Sequence, residues 1–78
     1  MKLYLIEQDE NNGWNTYDSA VVVAANVEEA KKINPGGKED WNSNYPTWAS
    51  DYEKVTATCL GTANRKTRGL VCASFNAG

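Results

Sequence analysis

Seventy-eight residues, of which 32 are apolar but nine of those alanine, leave room for one domain with a thin core. A net charge of −2 and a pI near 4.9 argue against the basic face of a nucleic-acid binder, so no direct nucleic-acid contact is expected. No apolar run reaches membrane-spanning length, and no signal-peptide pattern opens the chain, so a cytoplasmic protein that makes no membrane contact is expected.

The charge is dipolar. Residues 1–40 carry eight acids and four bases, residues 41–78 two acids and four bases, and within the first 29 residues six acids face a lone Lys2. An overall −2 is too weak for an acidic surface that imitates DNA.

In chain order, Lys2–Glu7 is β-prone and reads as a first strand. Asp9-Glu10-Asn11-Asn12-Gly13 carries an Asn-Gly turn signal, but the next apolar run starts only at Ala20, which predicts a loop of about ten residues, longer than most hairpin loops. Ala20–Ala25 is a second strand. Asn26 then offers an N-cap with Glu29 three residues on, which predicts a helix over 27–33 that presents Val27, Ala30 and Ile33 on one face and stops at Asn34-Pro35-Gly36-Gly37.

Trp41, Tyr45, Trp48 and Tyr52 have the spacing of a helical stripe, interrupted by Pro46. Proline suits a first helical position, so a short second helix is expected from Pro46 to about Tyr52. Glu53–Leu60 and Leu70–Phe75 read as strands three and four, joined by a flexible hairpin loop whose tip is Arg65-Lys66-Thr67-Arg68. The expected fold is α+β, a four-stranded antiparallel sheet in ββαββ order with one helix on one face.

The absence of histidine removes the commonest general base and metal ligand, so Ser/His/Asp and Cys/His sites are excluded. Cys59 and Cys72 are expected to pack as small apolar side chains; if Gly61 pairs with Leu70 across the last hairpin they would face each other and could be bridged. Asp9 and Asp18 flank the first loop and read either as solvated turn acids or as a paired-carboxylate site for acid/base work or a divalent ion. No phosphate-loop or dinucleotide pattern occurs, and no cofactor is expected.

Six of the eight aromatic residues, Trp14, Tyr17, Trp41, Tyr45, Trp48 and Tyr52, fall outside the four predicted strands, among Asn, Ser, Thr and Gly. Such rings supply rigid contact area with a polar handle, and the candidate binding residues are Trp14, Tyr17, Trp41, Tyr45 and Trp48. The competing reading has Trp48 or Tyr52 capping the sheet. Arg65, Lys66 and Arg68 at the basic tip could contact phosphates or an acidic protein patch, or could simply be solvated. A nucleotide held by stacking on loop aromatics, with these bases on its phosphate, is the alternative to a protein partner, and a homo-oligomer would help so small a chain enclose it.

The segments Asn12–Ala24 and Ala73–Gly78, with Glu28-Glu29-Ala30 between them, resemble a group of small phage and prophage proteins. The resemblance covers both ends of the chain and leaves residues 36–68 poorly matched. The group carries no established activity, so it assigns no residue a role. It implies a genomic setting in which small non-catalytic domains act as counter-defence factors, including anti-CRISPR proteins, by binding a host defence complex.

Overall fold

Strand faces follow from alternation. In β1 (Lys2–Gln8) Tyr4, Ile6 and Gln8 are buried, while Leu3 and Leu5 on the other face are half-covered. The computed structural model describes residues 1–64 and 66–76, and β1 is followed by β2 (Thr16–Ala24), α1 (Val27–Lys31), two 3-10 turns (Lys38–Asn42 and Tyr52–Lys54), β3 (Val55–Thr62) and β4 (Gly69–Asn76). All strand pairings are antiparallel in one four-stranded sheet, an α+β arrangement.

Side by side, the strands run β3-β1-β2-β4, which the ββαββ expectation did not give. β3 and β4 are no hairpin: they are opposite edges of the sheet. Three interstrand steps of roughly 4.8 Å separate them, about 14 Å, and six residues at roughly 3.3 Å each can bridge that distance. The connection 63–68 is anchored on the way, with the Ala63 amide donating to the Met1 carbonyl at 3.0 Å and Arg68 Nε meeting Glu29 Oε1 at 2.8 Å. Cys59 and Cys72 therefore neither face each other nor pack inside; both are free and exposed, one on each edge strand.

The helix begins as its cap predicts. Asn26 Oδ1 accepts from the Glu29 amide at 2.9 Å, and Glu29 Oε1 reaches back to the Ala25 amide at 3.1 Å. It is shorter than expected and buries only Ala30, with Val27 exposed. It packs over β1, β2 and β3, closing a core of Tyr4, Ile6, Val22, Ala30, Trp48 and Val55. On the opposite face of the sheet Leu3, Leu5 and Val21 are half-covered.

No helix forms over 46–51, and only a 3-10 turn begins at Tyr52. The carbonyls of Pro46, Thr47 and Trp48, which a helix would use internally, accept instead from distant donors: Asn11 Nδ2 to Pro46 at 2.8 Å and to Trp48 at 3.1 Å, and the Tyr17 amide to Thr47 at 2.7 Å. Buried Asp40 fixes the same stretch, accepting from the Thr47 amide and hydroxyl, both at 2.9 Å, and from Asn34 Nδ2 at 3.1 Å. No helix among the described residues is long and apolar enough to cross a membrane.

Candidate functional site

Position 8 continues the inward alternation of Tyr4 and Ile6, yet it is glutamine. Buried there, Gln8 spends its whole amide on the loop that follows. Nε2 donates to the carbonyls of Asn11 at 2.7 Å and Tyr17 at 2.9 Å, and Oε1 accepts from the amides of Glu10 at 2.9 Å and Asn11 at 2.8 Å. All four hydrogen-bonding sites of the side chain are thus used, a requirement for a buried amide. This clamp ties the start of the loop 9–15 to the end of β1 and to the Tyr17 carbonyl beyond the loop.

Asn11 passes the constraint onward through its bonds to Pro46 and Trp48, and Glu10 Oε1 accepts from the Ser50 amide at 3.2 Å. Two irregular segments, 9–15 and 46–50, are thereby stitched together at one end of the sheet. Trp14 stands in the tight turn that ends the first segment, where Asn15 takes a left-handed φ of 58° and Thr16 Oγ1 closes onto the Gly13 carbonyl at 2.6 Å. The turn uses Asn15 in place of the expected Asn12-Gly13 pair. Tyr45, next to Pro46, opens the second segment, with its amide bonded to Ser43 Oγ at 3.0 Å.

These two rings are the most exposed large apolar groups described, Trp14 at 74% and Tyr45 at 89%. Tyr17 is not a loop residue as expected. β2 starts at Thr16, and the Tyr17 ring is half-buried against Phe75 of β4, centroids 4.8 Å apart and planes tilted by 57°. Phe75, 44% exposed, stands beside Tyr17 at this end of the sheet and was missed in the sequence because it sits in a strand. Gln8 was missed too, although a polar residue on an inward position was a readable signal.

The other candidates lie elsewhere. Trp48 is fully buried in the core, a correction to its reading as a contact residue: bulk and shape carry it inward once Pro46 breaks the helical stripe. Trp41 is half-buried and packs on the core from the first 3-10 turn. Arg65 lies outside the described residues. Lys66 and Arg68 belong to the 63–68 connection, which crosses the sheet at the end remote from Trp14 and Tyr45, and Arg68 is engaged with Glu29. The expected nucleotide arrangement, loop rings above and basic tip on the phosphate, is therefore not assembled.

Asp9 and Asp18 do line one open cleft of about 430 Å³, together with Glu7, Asn12, Lys54 and Thr56. Both carboxylates are exposed to water, and Asn12 Nδ2 donates to Asp9 Oδ1 at 3.2 Å. Among the described residues no three His, Cys, Asp or Glu side chains converge as a metal site.

No family model, curated protein or solved structure matches this chain. The aromatic end is thus assigned on its own geometry.

Proposed function

We propose that this chain is a non-catalytic binding protein that docks a folded protein partner through its aromatic end, with Trp14 and Tyr45 as anchors and Tyr17 and Phe75 as the floor between strands. One observation carries the reading: the two most exposed rings stand on or next to segments that the hydrogen bonds of Gln8 and Asn11 tie together. Tryptophan and tyrosine are enriched among the residues that dominate protein interfaces, and a backbone already tied by hydrogen bonds leaves a smaller ordering cost on docking. The likeness of both chain ends to phage and prophage proteins supports a host-defence complex as the partner and inhibition, in the manner of an anti-CRISPR protein, as the outcome.

The experiment is affinity capture from host lysate with the partner identified by mass spectrometry. The wild-type chain retains one defence complex through washing. Trp14→Ala and Tyr45→Ala each release it while melting at the wild-type temperature. Retention by both variants would remove the aromatic end from the contact.

A further inference from the structure

A second place brings rings and a cation together. Between the end of α1 and the two 3-10 turns, Lys32, Trp41, Asn42, Ser50, Asp51 and Tyr52 line an open cleft of about 400 Å³. Lys32 Nζ stands 5.3 Å from the centre of the Tyr52 ring, and among the described residues no carboxylate pairs with it. The ammonium is held at the cleft wall by the ring face and remains free to meet an anion. Asp51 is engaged elsewhere, since its Oδ1 accepts from the Glu53 amide at 3.0 Å as the cap of the Tyr52–Lys54 turn. The side chains of Asn42 and Ser50 make no internal hydrogen bond among the described residues, which leaves an amide and a hydroxyl to read a polar edge.

We propose that this cleft binds a nucleoside monophosphate, its base lying against Trp41 and Tyr52 and its phosphate on Lys32. The volume lies in the range of small-ligand sites, and aromatic side chains that stack a base are the usual platform for such rings. A single unpaired ammonium, with the Asp51 carboxylate nearby, suits one phosphate and disfavours a triphosphate. The site is separate from the aromatic end and does not depend on the partner proposed for it.

The test is a titration of the intact protein with 5′-AMP, followed by amide chemical shifts, with adenosine and inorganic phosphate as separate arms. Saturable shifts confined to residues 32, 41–42 and 50–52 are expected with 5′-AMP, weaker ones with adenosine, and none with phosphate alone. Lys32→Ala weakens 5′-AMP by about tenfold or more and leaves adenosine unchanged, because it removes only a charge-assisted bond. Tyr52→Leu weakens both. Asp51→Asn keeps the cap and tightens 5′-AMP. Shifts absent at millimolar 5′-AMP, or an affinity that Lys32→Ala leaves untouched, overturn the proposal.

Discussion

Gln8 and Asn11 exchange two hydrogen bonds, side-chain Nε2 to backbone carbonyl at 2.7 Å and backbone amide to side-chain Oε1 at 2.8 Å, so that a strand residue acts as the missing backbone partner of a loop residue. Asn11 in turn holds the 46–48 segment. Replacing Gln8 by Met keeps most of the volume and strips two carbonyls and two amides of their partner. Because the four hydrogen bonds lost are each worth about 0.5–1 kcal/mol net, a loss of roughly 2–4 kcal/mol is expected. In a domain of this size that lowers the melting temperature by roughly 10–25 °C. Asn11→Ala is milder, about 1–2 kcal/mol, and loosens the amides of 46–50 in hydrogen exchange.

A methyl group at Gly36 overlaps Thr47 Oγ1 and presses on the Asp40 carboxylate. Gly36→Ala is therefore expected to cost about 1–3 kcal/mol through crowding. Thr47→Ala removes the obstructing oxygen along with its bond to Asp40. The double variant should lose clearly less stability than the two single losses added together, a coupling that denaturant titration of all four proteins measures.

Trp48 fills the core, yet its Nε1 has no hydrogen-bond partner among the described residues. Trp48→Ala is expected to cost about 3–5 kcal/mol, enough to unfold a domain this small. Trp48→Phe removes the unpaired donor along with part of the ring, and the two effects offset, so a loss below about 1.5 kcal/mol is expected by thermal melting.

The same residues explain what the sequence could and could not tell. The apolar run Ala20–Ala25 marked a strand, but the polar-looking Thr16-Tyr17-Asp18-Ser19 in front of it belongs to that strand as well, since β4 pairs with this stretch across a bulge at Asp18. Asn26 with Glu29 announced the helix start because capping is local chemistry. Strand order was not legible. Uncharged β3 and β4 carry no cross-strand signature, and a six-residue connection fits a hairpin and a two-strand crossing equally well. Nor does the spacing of Trp41, Tyr45, Trp48 and Tyr52 say which ring turns inward once Asn11 and Tyr17 have taken the carbonyls of 46–48. The exposed rings Trp14 and Tyr45 were visible in composition; the hydrogen bonds that tie down the start of the loop bearing Trp14 lay in Gln8, legible only as a polar side chain on an inward strand position.

Cys59 and Cys72 provide a check on topology that needs no structure determination. On opposite edges, about 14 Å apart by strand spacing, they lie beyond the roughly 7 Å limit for a disulfide. Both thiols of the native protein should react promptly with Ellman's reagent. Mild oxidation should leave no intramolecular bridge by mass spectrometry. A bridged monomer would place β3 beside β4 after all.

Trp14 and Tyr45 are proposed to contribute ring contacts from a fixed surface, and not folding stability. Titration calorimetry of the captured partner against the Trp14→Ala/Tyr45→Ala double variant, run beside its thermal melt, separates the two. A melt within about 0.5 kcal/mol of wild type is expected, with binding weakened by at least about 2 kcal/mol, some thirtyfold. Full affinity at an unchanged melt, or a melt lowered in step with the affinity, contradicts the assignment of these rings as anchors.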